Sequence, residues 1–160
     1  MDYIEELGTL ALASRLRRFI DKLIKDGTRV YESLDFEFEV RWFPIFHLLS
    51  YHSPLTVMQI AEALGLAHPS IIETADEMAR RALVTSYRDD ADKRRRLLCL
   101  TEEGKNLAVK LEPVWKAFWE AADDVFREAG CDLLDSIEKV ETVLEQKTFY
   151  ERIVARLDKQ

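Results

Sequence analysis

The densest chemistry in the sequence lies in one short stretch, DDADKRRRLLCLT, running from Asp89 to Thr101. Three carboxylates in four positions are followed at once by Lys93, Arg94, Arg95 and Arg96, and Arg88 stands just before the acidic group. Clustered Lys and Arg suit phosphate, because their charged N–H donors bind its oxygens and release the counterions condensed along a nucleic acid. Charge alone would read such a run as a solvated turn, so the elements around it decide its meaning.

Other chemistries find little support. Cys99 and Cys131 are far apart, with no CxxC pairing and no neighbouring His, so neither a disulfide framework nor a metal site is expected. Both read as reduced thiols, more often buried small hydrophobes than redox sensors. There is no Ser-His-Asp or Cys-His set and no Gly-rich phosphate loop, so no enzyme and no cofactor is expected.

The elements that must position the basic run are helical. A chain of 160 residues is expected to form a single domain, 1–160, with a real core. Hydrophobic residues make up 48% and charged residues 33%, with five Gly and four Pro, the balance of a helix-rich soluble protein. The net charge of -7 argues against strong sequence-independent affinity for nucleic acid, although a local patch can still act. No apolar run approaches the roughly 18 residues of a membrane span. The opening MDYIEELG lacks the regions of a signal peptide, so a cytoplasmic protein without a membrane partner is expected.

Apolar residues at helical spacing from Leu7 to Leu34 predict one long amphipathic helix, slackened at Gly27. RWFPIFHLLSYH predicts a short core helix with Pro44 in its first turn. In SPLTVMQIAEALGLAHPSIIETADEMARRALV, Thr56 can cap a helix with Gln59 as its capping-box partner, and Gly65 can end it. Pro69 suits the first position of a second helix, and two short helices around a tight Gly turn predict a helix-turn-helix. LVTSYRD and RRLLCLT then mirror each other across DDADKR as a small β-hairpin, a wing. Thr101 begins a long helix, with Glu102 and Glu103 in its first turn and Pro113 expected to bend it. Gly130 and Asp132 mark a break, and a last helix is expected from Leu133 to Leu157. The spare apolar faces of the terminal helices, including Trp115 and Trp119, call for a partner subunit, with a core inside one chain as the plainer alternative.

This order of elements resembles the MarR family of transcriptional regulators over nearly the whole chain, most closely from Leu55 to Gly104. The most specific feature is the wing pattern Asp-x-Arg followed by Leu-Thr-x-x-Gly, met by Asp92, Arg94, Leu100, Thr101 and Gly104. LGTLALASRLRRFIDKL and RWFPIFHLLS are also similar to the regulator half of a subgroup sometimes fused to an acetyltransferase. No acetyl-coenzyme A loop is seen in these 160 residues, so only the regulator reading carries over.

The resemblance implies a mainly α fold, a winged helix-turn-helix with a two-stranded β wing and long N- and C-terminal dimerisation helices. Segments 1–36 and 102–160 would dimerise and 37–101 would form the DNA-binding lobe. A homodimer would then read a pseudo-palindromic double-stranded DNA site, with repression the expected outcome. Its recognition helix would start at Pro69, with His68, Ser70, Ile71 and Thr74 facing base edges. Glu73 departs from the basic or neutral residue usual there, and accepting from a cytosine amino group and repelling phosphate are equally open to it. Arg94 would enter the minor groove with Asp92 bracing it, and Arg88, Lys93, Arg95 and Arg96 would supply further contacts. An effector pocket for a small molecule would draw on Arg17, Trp42, Phe43, His47 and Tyr51, of which Trp42, Phe43 and His47 read at least as well as core residues. The competing function is a winged-helix protein-interaction module without DNA binding. It is favoured by the acidic charge balance of the chain and by Glu73, and the stretch from Thr56 to Gly104, with seven Lys and Arg against nine Asp and Glu, is not expected to bind tightly without regard to sequence.

Overall fold

The computed structural model describes residues 1–88 and 95–158. It divides into two compact units, Met1–Val109 and Lys110–Gln160. Among the described residues no helix is long and apolar enough to cross a membrane.

In the first unit a one-turn helix α1 (Tyr3–Glu6) is capped by Asp2, whose carboxylate accepts from the Ile4 N–H at 3.1 Å and from Arg18 Nη1 at 3.0 Å. A 3-10 turn over Gly8–Ala11 separates it from α2 (Leu12–Ser33). The single helix expected from Leu7 is therefore interrupted, because Gly8 adopts a left-handed φ of 54° that helix does not allow. Gly27 lies buried within an unbroken α2 and does not slacken it.

After α2 the chain turns at Asp35 and drops Phe38 into the core. There it meets Tyr31, Trp42 and Phe46 edge-on, with ring centroids 5.1, 5.7 and 5.2 Å away. Such edge-to-face pairs suit the ring quadrupoles, and they fix the approach of the 3-10 turn Val40–Trp42 to α3 (Phe43–His52). Pro44 occupies the first turn of α3, as expected.

The helix-turn-helix follows. Thr56 caps α4 (Val57–Leu64) in a full capping box: its hydroxyl accepts from the Gln59 N–H at 3.2 Å, and the Gln59 side chain accepts from the Thr56 N–H at 2.9 Å. Gly65, at a left-handed φ of 62°, ends it, and α5 (His68–Arg80) begins three residues later. Ile60, Ile71 and Met78 from the two helices are fully buried with Ile45, Phe46 and Leu49 of α3.

The wing is β2 (Val84–Arg88) and β3 (Arg96–Leu100), antiparallel in register from Val84↔Leu100 to Arg88↔Arg96. A third strand joins them: β1 (Leu55–Thr56) pairs with β3 through Leu55↔Leu98 and Thr56↔Leu97, giving the order β1-β3-β2. The residue that starts the helix-turn-helix is thus hydrogen-bonded into the wing.

The helix α6 (Glu102–Ala129) starts directly after β3. The Thr101 hydroxyl accepts from the Gly104 N–H at 3.0 Å and donates to the Ala82 carbonyl at 2.5 Å. The Thr101 N–H donates to Leu83 O at 3.1 Å. Gly104 is required by packing: a Cβ there would overlap the Leu83 carbonyl oxygen and lie 3.1 Å from its carbon.

In the second unit, α6 runs on through Pro113 and ends before Gly130, at φ 64°. Asp132 caps α7 (Leu133–Gln146), accepting from the Asp135 N–H at 2.9 Å. The single last helix expected from Leu133 is broken at Lys147. Thr148 opens a further helix, α8 (Phe149–Leu157), with Glu151 completing its capping box. Arg152 secures the joint, its Nε donating to Lys147 O and its Nη2 to Val143 O, both at 2.9 Å. The Val143 carbonyl also accepts from the Lys147 N–H at 3.4 Å, so Arg152 adds a second donor to the capped end of α7 and ties α8 back to it. Trp115 is buried, so of the two tryptophans expected to carry a spare face only Trp119, 69% exposed, does so.

Candidate nucleic-acid interface

Spacing on α5 sets its two faces. Residues at i, i+4 and i+7 share one side of a helix, and Ile71, Ala75 and Met78 form the buried stripe. Ile71 is fully buried, so it does not face a base edge, and this corrects the expectation from sequence. The exposed isoleucine is its neighbour Ile72, at 41%. At 100° per residue, Pro69, Glu73, Asp76 and Arg80 lie opposite the stripe, with Ser70 and Glu77 on one flank. His68, Pro69, Ser70 and Glu73 are exposed, and Thr74 is half-buried. The helix begins at His68, one residue before the expected Pro69, and its N-cap Ala67 offers no side-chain cap to the first-turn N–H groups.

The outward face thus carries Glu73 and Asp76 beside Arg80, with Glu77 on its flank, and arginines from outside α5 answer two of these carboxylates. Arg96 Nη2 reaches Asp76 Oδ1 at 3.1 Å while its Nε donates to Ser86 Oγ at 2.9 Å. That engagement also relieves a conflict, since Arg88 and Arg96 are direct cross-strand partners with like charge. Arg96 is thus a tie between the wing and α5. On the other flank, Arg41 Nη2 reaches Glu77 Oε2 at 2.9 Å, and Trp42 Nε1 donates to the same oxygen at 3.1 Å. Below the helix, Arg81 pairs with Glu37. Arg88 and Arg95 are exposed at the ends of the described hairpin. Asp92, Lys93 and Arg94, with the brace expected between Asp92 and Arg94, lie outside the described residues.

Sequence reasoning missed Arg41, Asp76 and Glu77. The available signal was the 73, 76, 77 spacing, which puts three carboxylates away from the buried stripe of one helix. Arg41 gave no signal of its own, because its partner on α5, Glu77, is 36 positions along the chain.

Of the five residues expected around an effector, three come together. Phe43, His47 and Tyr51, at successive turns of α3, line a cavity with Pro44, Leu48, His52 and Leu64. The His47 ring lies between Phe43 and Tyr51, tilted by 47° to each, with centroids 5.1 and 5.0 Å away. Burial, and then the charge of His52, push the His47 imidazolium below its ordinary range. Trp42 is a correction: it is buried in the core, held to Glu77, and does not line this cavity. Arg17 is exposed on α2 and does not line it either.

Comparison with known proteins agrees with this architecture. A MarR family model matches residues 36–95. Among solved structures, the Staphylococcus aureus MepR–DNA complex is 20% identical with a TM-score of 0.61, covering 83% of this chain and 94% of that one. The transcriptional regulator BldR of Sulfolobus solfataricus is 18% identical with a TM-score of 0.62, covering 91% and 99%. The PcaV transcriptional regulator of Streptomyces coelicolor, in complex with its natural ligand, is 21% identical with a TM-score of 0.60, covering 90% and 94%. At these identities the structural matches establish the fold, and the stretch that resembles the MarR family model, residues 36–95, is the winged helix-turn-helix described above.

Proposed function

We propose that the chain is a double-stranded-DNA-binding transcriptional regulator that acts as a homodimer in the cytoplasm. The observation that carries this reading is the tie from Asp76 on α5 to Arg96 on β3, which holds a helix with an uncapped N-terminus and an arginine-bearing wing as one surface. A helix presented in this way enters a major groove with its N-terminal residues, His68, Pro69, Ser70 and Glu73, nearest the bases. The wing cations Arg88, Lys93, Arg94, Arg95 and Arg96 supply phosphate and minor-groove contacts, with Asp92 bracing Arg94. Similar folds support it: MepR has been solved with DNA, and PcaV with its natural ligand.

The dimer is supported by an apolar stripe along α2, where Leu12, Leu16, Phe19, Ile20, Leu23 and Ile24 are all exposed. A monomer rarely leaves a stripe of that length in water. Two copies of α5 about 34 to 36 Å apart would read successive major grooves of a pseudo-palindromic site. Repression follows if the occupied site overlaps a promoter. The cavity of Phe43, His47 and Tyr51 is the place for a small-molecule effector, which would act by binding one arrangement of the dimer better than another.

The test is fluorescence anisotropy with DNA from upstream of the protein's own gene, across a salt series. Affinity should fall steeply with salt, and Arg94→Ala should weaken it and lower the salt slope by about one. Absence of binding, or binding indifferent to both salt and Arg94→Ala, would refute the reading. That result would favour the protein-interaction module suggested by the acidic face of α5.

A further inference from the structure

The face of α5 opposite its buried stripe carries Glu73 and Asp76, with Glu77 on its flank, which is an unusual charge to bring toward phosphate. Asp76 is matched by Arg96 of the wing. Glu73 and Glu77 are one turn apart, so they are neighbours on the helix surface. The cation paired with Glu77 from outside the helix is Arg41, which comes from the 3-10 turn before α3 and so lies one helical turn from Glu73.

Arg41 is well held. Its Nε donates to Glu39 Oε2 at 2.7 Å, and its Nη2 forms an ion pair with Glu77 Oε2 at 2.9 Å. The adjoining Trp42 is 3% exposed and donates to the same Glu77 oxygen, so the turn that carries Arg41 is anchored to the core and to α5 at once. Only 13% of the Glu77 side chain is exposed, and its carboxylate is therefore strongly coupled to these two donors. The hydrogen bond to Glu39, followed by the charges of Glu39, Glu77 and Glu73, holds the Arg41 guanidinium above its ordinary range.

The geometry points to Arg41 as a positioning and specificity residue of the DNA-binding face, one that counter-charges the Glu73 and Glu77 row so that Glu73 can enter the groove as a hydrogen-bond acceptor. This rests on the DNA-binding reading above. A carboxylate in the major groove can accept from the cytosine amino group, and that contact is useful only if its repulsion from the flanking phosphates is offset. Arg41 offsets it from the protein side without occupying the groove. Glu73 keeps its acceptor oxygens, and the helix is held at a fixed angle through Glu77.

The experiment is a double-mutant cycle on a DNA fragment carrying the protein's site, with Arg41→Gln, Glu73→Gln, the double variant and Arg41→Lys. Affinity is read by anisotropy at two salt concentrations, and Tm is measured for each protein. Arg41→Gln should weaken binding about tenfold, and Glu73→Gln in that background should restore most of the loss, as coupled neighbours do. Arg41→Lys keeps the charge and should stay within about threefold of the parent. If Arg41→Gln leaves affinity unchanged, the proposal is wrong. It is equally overturned if the loss is not relieved by Glu73→Gln while the salt slope falls by about one, since Arg41 would then be a direct phosphate contact. A Tm loss with weak binding in both Arg41 variants, unrelieved by Glu73→Gln, would make the role purely structural. Failure of the parent protein to bind DNA would remove the DNA-binding reading itself and this inference with it. The other outcomes leave that reading standing.

Discussion

Replacing Gly104 by Ala sets two physical effects against each other. Near the start of an exposed helix, Gly→Ala should stabilise by up to about 1 kcal/mol, because Ala has the better helix propensity. Here the added methyl would overlap the Leu83 carbonyl oxygen, lie 3.1 Å from the Leu83 carbon and 3.3 Å from the Leu100 Cβ. Two of these three atoms belong to backbone that cannot swing aside. The first turn of α6 must back away, which stretches the Thr101 N–H bond to Leu83 O, now 3.1 Å, and disturbs the Thr101 hydroxyl bonds to Ala82 and Gly104. Loss of two such bonds costs about 2 kcal/mol and the overpacking about 1 to 3 kcal/mol more. The expected net loss is about 3 kcal/mol, or a fall in Tm of roughly 10 °C for a chain of this size. Urea unfolding followed by circular dichroism at fixed protein concentration measures it, with a surface Lys105→Ala as the control. A Tm equal to or above that of the parent would show that propensity wins, and that the contact between α6 and the β2 entry is not tight.

Asp76→Asn should release Arg96 from its carboxylate partner and remove a negative charge from the α5 face. Non-specific DNA binding should tighten and its salt slope rise, and an unchanged slope would count against the tie between wing and helix. Thr148→Ala removes the cap of α8 and should cost about 1 kcal/mol by urea unfolding, in line with other lost caps. His47 titrates below its ordinary value of 6.5 because burial, followed by the charge of His52, disfavours the imidazolium. The unfolded chain then binds the proton more readily, so stability is full above about 6.5 and falls as the pH drops through that value toward the folded pKa. His47→Phe should flatten this part of the Tm-against-pH curve, and an equally steep curve would assign the loss to other groups.

The parts that could be read from the sequence are those whose causes are local. Thr56 with Gln59, Gly65 and Asp132 act through hydrogen bonds or dihedrals set within a few residues, and each marks the boundary it predicts. The wing register followed from β-branched and aromatic residues mirrored across one loop. The capping box of Thr148 and Glu151 had the same local form, but the apolar period continued on both sides and masked it. β1 could not be seen because two residues have no period, and only pairing with Leu97 and Leu98 makes them a strand. Ile71 can be read from spacing both into the buried stripe and beside Ser70, and the fold puts it in the stripe with Ala75 and Met78, 100° around the helix from Ser70. The charge pairs of α5 with Arg41 and Arg96 were hidden for a different reason: their partners are brought together only by the fold.

The strand that crosses the middle of the sheet passes into the long helix through a single residue. β3 ends at Leu100 and α6 begins at Glu102, with Thr101 between them, tethered at both its hydroxyl and its N–H. One pair of backbone torsions is all the slack available between the root of α6 and the hairpin. A twist applied at the start of that helix has almost nowhere to dissipate before it reaches the strand, so the junction works as a stiff drive shaft that turns β3 and the strands paired with it.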